Sequence, residues 1–179
     1  GRIRHWGVSN HSAAQLQQLW QTARTAGTQP PVGVEEYYTI AGSALTSEGR
    51  SRPRLLEAEM FPLLQRAGMG LLAFSPMDCG LLAPGGSVEA GSPLQDLLTV
   101  IDRVAAELAT SRSAVCVAWV LAQTAVTAVL GGAESADHVD EMIAGVQLQL
   151  PAPAMDELNA ASHAYARALE ATVHKGGNG

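Results

Sequence analysis

Strand-like apolar segments alternate with amphipathic helical segments along the chain, and this alternation constrains the fold more than any other feature. Strand patterns occupy residues 3–9, 30–40, 69–75 and 126–132, and helical patterns fill most of the intervals. Strands joined by helical crossovers pair in parallel, and their carboxyl ends carry the chemistry. The segment 69–75 is almost wholly apolar, which predicts a strand buried on both faces. We therefore predict an α/β fold of about four parallel βα units plus a C-terminal helix.

Length and charge narrow the possible architectures and the possible classes of partner. A closed eight-stranded barrel takes about 250 residues, so 179 residues fit half a barrel with long loops or a small open sheet. We expect one domain, residues 1–169, followed by a disordered tail at 170–179, and a long polar loop at 42–53. The net charge of −6 argues against nucleic acid or an anionic membrane as the partner.

No apolar run is long enough to cross a bilayer, and no signal-peptide pattern is present. Cys79 and Cys116 lie far apart without metal-ligand spacing, which is typical of reduced thiols. These patterns predict a cytoplasmic protein without a metal site. The histidines show no ligand spacing either, and we expect them on the surface or in loops.

Four motifs in order decide between the two architectures. They are "IRHWGVSN", "YYTIAG", "GLLAFSPMDCGLL" and "AWVLAQTAVTAVLGGAESADHVDEM". Over residues 1 to about 163 the chain resembles the C-terminal half of an aldo-keto reductase. The resemblance implies a partial TIM (β/α)8 barrel containing barrel strands five to eight. It also implies NADP(H)-linked reduction of a small aldehyde or ketone without a metal.

The resemblance assigns no catalytic residue to this chain. In the family, the catalytic Asp, Tyr, Lys and His lie on the first four strands, upstream of the motif "GVSN". A lysine that lowers the pKa of a tyrosine must sit rigidly beside it, and the only lysine here is Lys175 in a Gly-rich tail. We therefore expect this chain to be the cofactor-binding half and inactive alone.

The resemblance places the nicotinamide at the ends of the first three strands. Ser9 and Asn10 match the family pair that binds the carboxamide, whose donors and acceptor a hydroxyl and an amide can satisfy. Glu35 falls where the family has Gln, and its negative charge would favour the oxidised, positively charged ring. Phe74 falls at the aromatic position that stacks on the ring. Each residue has an alternative role. Ser9 and Asn10 can cap the following helix together with Ser12, Glu35 can be a solvent-facing carboxylate, and Phe74 can pack in the core.

The resemblance also places the phosphates and the adenosine. In the family, the loop after the third strand wraps the pyrophosphate through backbone N–H groups and a serine hydroxyl, but Asp78 adds a negative charge there. Most Gly-rich loops are only turns, which is the alternative. The loop positions are Ser75, Met77, Gly80 and Leu82.

The segment after the fourth strand departs most from the family. Glu134 and Ser135 occupy the positions of the basic residues that bind the 2′-phosphate of NADP, and Met142 replaces an Asn. Glu134 would repel that phosphate, so NADP binds weakly, NAD(H) is preferred, or the site has decayed; the alternative is a stabilising first-turn carboxylate. The positions implied for adenosine are Gly132, Ala133, Glu134, Ser135, His138 and Glu141.

Three functions remain open at this stage. The chain is part of an aldo-keto reductase, a non-catalytic dinucleotide-binding or regulatory module, or a truncated inactive copy. Half a barrel leaves two unpaired sheet edges and an open apolar face. We therefore expect self-association through those edges unless a second half closes the ring.

Overall fold

The structure is a computed structural model that describes residues 2–42, 56–85 and 88–176. The expected polar loop at 42–53 lies, apart from Gly42, outside these residues. The strands are β1 (Gly7–Ser9), β2 (Gly33–Tyr37), β3 (Gly70–Phe74) and β4 (Val126–Leu130). The helices are α1 (Ala13–Thr25), α2 (Phe61–Ala67), α3 (Pro93–Glu107), α4 (Arg112–Leu121), α5 (Ala136–Gln147) and α6 (Ala152–Gly176).

The four strands form one parallel sheet in the order β1-β2-β3-β4. Each neighbouring pair is joined through helical structure, as parallel pairing requires. Gly7, Gly33 and Gly70 are aligned across the first three strands, and the register between β3 and β4 shifts at Leu71/Leu72. The predicted fold class, an α/β partial barrel of about four parallel βα units with a terminal helix, is confirmed.

The helices begin at serines that cap their first turns. The side chains of Ser12, Ser92, Ser111 and Ser135 each accept a hydrogen bond from a backbone N–H of the first turn, which satisfies a group that the helix leaves unpaired. At α1 the Gln15 side chain also accepts from the Ser12 N–H, completing a capping box.

The core lies between one face of the sheet and the helices. Val34, Leu71 and Ala73 project from the strands into this core, where Trp119 of α4 stacks on Tyr38 with ring centroids 5.6 Å apart. α3 packs against α4 and α6, and α4 packs against α5. No single helix of the described segments is long and apolar enough to cross a membrane; α3 and α4 pass that test only together, as a pair bent by 97°.

The other face of the sheet is only partly covered: it is exposed at β3 and β4, although Tyr37 of β2 on the same face is buried. This corrects the prediction that the third strand is buried on both faces. Along β3, Leu71 and Ala73 are buried, whereas Leu72 is 38% exposed. Leu130 of β4 is 41% exposed. The apolar run at 69–75 is therefore explained by helices on one face and by an uncovered apolar surface on the other.

Element boundaries differ from the sequence patterns at three places. β1 begins at Gly7 rather than at residue 3, and residues 2–5 are exposed. α6 continues to Gly176, so residues 170–176 are helical where a disordered tail was expected, and residues 177–179 lie outside the described part. The helical sequence pattern before β3 divides, within the described residues, into a π-helical turn at Leu56–Met60 and α2, and Pro62 lies in the first turn of α2.

Candidate functional site

The parallel sheet brings the residues after each strand to one edge. Ser9 ends β1 and lies directly beside Glu35 of β2. Phe74 ends β3 and lies between Tyr37 of β2 and Leu130 of β4. Of the expected nicotinamide residues, Ser9 and Phe74 end their strands and Asn10 follows β1, whereas Glu35 is the central residue of β2 and is reached by the sheet edge only beside the shorter β1.

The turn from β1 to α1 holds Asn10 in a left-handed conformation, with φ = 58°. Its side-chain amide donates to the Ser9 hydroxyl oxygen at 3.1 Å, and its backbone N–H donates to the Glu35 carbonyl at 3.1 Å. The helix cap is formed by Ser12, not by Ser9 or Asn10. The two polar side chains are exposed at the sheet edge, where they can contact a ligand.

Glu36 lies beneath this turn and was not singled out by the sequence analysis. Its side chain is on the helix-facing side of β2, the residue is only 7% exposed, and Oε1 accepts the His11 backbone N–H at 2.7 Å. Burial raises the pKa of this carboxyl, and the hydrogen bond from His11 partly opposes that rise. Strand alternation contains the signal, because it places Glu36 on the same face as the core residue Val34.

Phe74 is half-buried, and its ring meets Tyr37 edge to face, with centroids 5.7 Å apart. Phe74 therefore packs against another side chain, in agreement with the core-packing alternative, although it also lies at the end of its strand. Ser75 follows with φ = 58°, and its N–H donates to the Leu130 carbonyl at 3.1 Å. The loop after β3 thus begins in a strained conformation that is tied to β4.

In the loop after β3, several backbone N–H groups are already bound by backbone carbonyls of this chain. Besides Ser75, Gly80 donates its N–H to the Met77 carbonyl at 3.0 Å, and Leu82 donates to the same carbonyl at 3.2 Å. Leu82 is fully buried, whereas Gly80 is exposed. In this conformation a phosphate can be met by the Ser75 hydroxyl, but three of the N–H groups expected to bind it already have acceptors.

Asp78 and Cys79 in this loop both have positive φ, 51° and 52°. Burial raises the pKa of the Asp78 carboxyl to about 6, so it is mostly ionised at neutral pH. Cys79 is exposed, while Cys116 is fully buried and its pKa is raised by burial to about 12. The two thiols therefore occupy opposite environments.

Arg112 fixes the far end of the loop. Its guanidinium donates to the Leu82 and Ala83 carbonyls at 3.3 and 3.2 Å and forms two bonds of 2.6 Å to the Asp102 carboxylate. The hydrogen bond to Asp102 raises the pKa of Arg112. This bidentate pair links the loop to α3 and α4.

The segment from β4 to α5 is exposed throughout residues 131–140. Ser135 caps α5 by accepting the His138 N–H at 3.2 Å, and the Glu134 N–H donates to His138 Nδ1 at 3.3 Å. Gly132 and Ala133 precede this cap, and Glu141 lies one turn into α5 and is half-buried. The expected adenosine residues therefore form one continuous surface at the start of α5.

Metal ligands are not grouped in the described segments: no three His, Cys, Asp or Glu side chains lie together there as a metal site requires.

Comparison with known proteins identifies the family. The family model for the aldo/keto reductase family matches residues 1–163. The chain belongs to the aldo/keto reductase family. This confirms the family expected from the four motifs.

Curated relatives of this aldo/keto reductase chain include oxidoreductases of known and unknown substrate. Methylglyoxal reductase YeaE of Escherichia coli is 30% identical over 152 residues, which cover 84% of this chain and 45% of the relative. An uncharacterized oxidoreductase of Mycobacterium tuberculosis is 27% identical over 182 residues, covering 92% of this chain and 51% of the relative. The chain spans about half the length of the curated relatives it matches.

A solved aldo-keto reductase has the same fold. The thermostable aldo-keto reductase Tm1743, crystallised with the inhibitor epalrestat, superposes with a TM-score of 0.66 at 20% identity, over 89% of this chain and 48% of that protein. The similarity therefore covers most of this chain and about half of the solved protein.

Proposed function

We propose that this chain is the cofactor-binding half of an NAD(P)H-dependent aldo-keto reductase that reduces the carbonyl group of an aldehyde or ketone. The proposal rests on the positions at which the backbone is strained. Among the described residues, four of the five non-glycine residues with positive φ are Asn10, Ser75, Asp78 and Cys79. Asn10 and Ser75 directly follow β1 and β3, and Asp78 and Cys79 lie further along the loop after β3. Strain of this kind is concentrated at functional sites.

The side chains at this edge fit a nicotinamide carboxamide. The Ser9 hydroxyl and the Asn10 amide supply donors and acceptors, and the Glu35 carboxylate lies on the adjacent strand. Phe74 offers an aromatic ring for stacking at the end of β3. When bound, the cofactor supplies the hydride, and this chain binds and orients it.

Binding of NADH and NADPH to the 179-residue chain tests the proposal. We expect NADH and NADPH to quench tryptophan fluorescence with micromolar dissociation constants. Asn10→Gly keeps the left-handed turn accessible while it removes the amide, and should weaken binding about tenfold, a loss of about 1.4 kcal/mol. Gln17→Ala on the exposed side of α1 is the control. Absence of binding to both dinucleotides, or unchanged binding by Asn10→Gly, would refute the proposal.

The acidic start of α5 favours NAD(H) over NADP(H). Glu134 is exposed at the position where the family places a base for the 2′-phosphate, and a carboxylate repels a phosphate dianion. We therefore expect Glu134→Arg to improve NADPH binding severalfold and to leave NADH binding nearly unchanged. Equal effects on both dinucleotides would contradict this preference.

Turnover distinguishes an enzyme from a binding module. The catalytic acid and its lysine are proposed to reside on four further βα units, since Lys175 is the only lysine here. Methylglyoxal, the compound in the name of the Escherichia coli relative, is a first substrate to assay with NADH. Binding without turnover by this chain agrees with the half-barrel proposal and with a regulatory module. Restoration of turnover by an added N-terminal aldo-keto reductase half favours the enzyme.

A further inference from the structure

Glu36 is a buried carboxyl group that the proposed cofactor site does not use directly. It is paired with Ala73 across the sheet and lies on the helix-facing side of β2, 7% exposed. A carboxylate in such a place carries a desolvation cost. An apolar residue would fill the same position without that cost, so the carboxyl group needs an explanation.

The contacts of Glu36 all lead to the β1–α1 turn. Its Oε1 accepts the His11 N–H at 2.7 Å. The Asn10 backbone N–H donates to the Glu35 carbonyl, but it lies near enough to the Glu36 carboxyl to lower its pKa. His11 in turn lies with Nδ1 2.8 Å from the Ser9 carbonyl oxygen. Because that oxygen can only accept, Nδ1 carries the hydrogen and donates. The carboxylate therefore holds the residues on both sides of the strained Asn10.

We propose that Glu36 is a positioning residue, which holds the Ser9–Asn10 turn from below in the left-handed conformation that presents the Ser9 hydroxyl and the Asn10 amide. The inference rests on the proposed function for the identity of the ligand only. Its physical content is that the buried carboxylate shapes this turn at the expense of the stability of the fold.

Ionisation of Glu36 has opposite effects on the stability of the fold and on the Ser9–Asn10 turn. Burial raises the pKa of Glu36, the backbone N–H groups of His11 and Asn10 and the charge of His11 lower it, and neighbouring Glu35 raises it. His11 from the turn and Glu35 from β2 are the titratable groups that act on it. Because the folded pKa is raised, ionisation of Glu36 reduces fold stability as pH rises through that pKa. The same ionisation strengthens the hydrogen bond to the His11 N–H.

The substitution Glu36→Gln exploits this opposition, since the amide keeps an acceptor oxygen but carries no charge. We expect a melting temperature at pH 7.5 that is equal to or higher than that of the wild type. The His11 and Asn10 amides should exchange faster with solvent, and the dissociation constant of NADH should rise about three- to tenfold, as when a charge-assisted hydrogen bond becomes a neutral one. In the wild type, the NMR chemical shifts of these two amides should change with pH as Glu36 ionises. In Glu36→Gln this pH dependence should disappear.

Two further variants complete the experiment. Glu36→Asp keeps the charge but shortens the reach of the carboxylate, and should also weaken NADH binding. Failure of Glu36→Gln to fold would count as a loss of melting temperature and would overturn the proposal. Glu89→Gln, at an exposed position in the loop before α3, is the matched control and should change none of the readouts.

The outcomes decide the proposal even if the chain binds no dinucleotide. Parallel loss of melting temperature and binding in Glu36→Gln would mean a general structural role and would overturn it. Unchanged exchange at His11 and Asn10 would also overturn it. If wild-type chain binds neither NADH nor NADPH, the proposed function fails, and amide exchange alone then tests the positioning of the turn.

Discussion

At the scale of single residues, Asp78 combines a strained backbone with a carboxyl group that burial has made harder to ionise. Its pKa rises from 3.8 to about 6. Ionisation therefore costs more in the folded chain than in the unfolded one. The contribution of Asp78 to stability is full below pH 3.8 and is lost as pH rises through about 6.

We accordingly predict that Asp78→Asn stabilises the chain at pH 7.5 by about 1–2 kcal/mol, a value reduced for the part of the carboxyl that remains in contact with water. Asn tolerates the left-handed conformation as well as Asp does, so the substitution adds no backbone strain. Urea unfolding at several pH values measures the effect. The advantage of the variant should shrink steadily toward pH 4, and a constant difference between pH 4 and 7.5 would show that ionisation is not its cause.

The residue types at the sheet edge could be predicted from sequence, but their hydrogen bonds could not. The family resemblance pointed to Ser9, Asn10 and Ser75, and the structure puts all three at the carboxyl edge. The N–H groups of Gly80 and Leu82 are bound within turns of the loop, and the N–H of Ser75 is bound by Leu130 of β4. These pairings follow from three-dimensional closure rather than from local pattern. Glu36 was missed because a charged residue in a strand is usually assigned to the solvent face.

At the scale of elements, α4 and α5 approach closely at Gly145. A Cβ atom placed there would lie 2.7 Å from Val117 Cβ and 2.8 Å from the Ala114 carbonyl oxygen. The backbone carbonyl cannot move without disturbing α4, so overpacking should exceed the gain of about 1 kcal/mol in helix propensity.

Gly145→Ala is therefore expected to lower the free energy of unfolding by about 1–3 kcal/mol, measured by urea denaturation. Gly132→Ala provides the matched control. No atom lies within 4 Å of a Cβ at Gly132, so the change there should stay within about 0.5 kcal/mol. A Gly145→Ala variant as stable as Gly132→Ala would mean that the two helices have room to separate.

The order and type of the elements followed from periodicity, because apolar alternation and serine caps are local signals. Their exact ends did not. β1 spans only Gly7–Ser9 since strand length depends on pairing with β2, whose ladder begins at Gly33. The open face of β3 was also not predictable, because an apolar run is the same whether its second face is covered by other parts of the same barrel or left exposed.

At the scale of the whole molecule, the described structure leaves apolar side chains uncovered on the sheet and on α5. Leu72 and Leu130 are on the open face of the sheet, and Val139, Ile143 and Val146 of α5 are 42%, 49% and 65% exposed. The α5 residues follow helical spacing and form one stripe. β1 and β4 are the two edges of the four-stranded sheet, and unpaired edges are templates for further pairing.

The family relationship gives these surfaces a common explanation. A closed barrel has no edge strands and fills its interior with side chains, and this chain spans 48% of the matching solved aldo-keto reductase. We propose that four further βα units cover the open face and both edges in the complete enzyme. Without them, copies of this chain should associate through the same surfaces.

The isolated 179-residue chain should therefore elute in size-exclusion chromatography as species larger than a monomer, and should bind a fluorescent hydrophobic dye. Leu72→Lys places a charge on the open face without disturbing the covered core, and should shift the population toward monomer and reduce dye binding. Gln17→Lys adds the same charge on the exposed side of α1 and should leave both measurements unchanged. A wild-type monomer that melts cooperatively and binds no dye would contradict an open half-barrel, because 38% exposure of Leu72 and 41% exposure of Leu130 could not then describe the chain in solution.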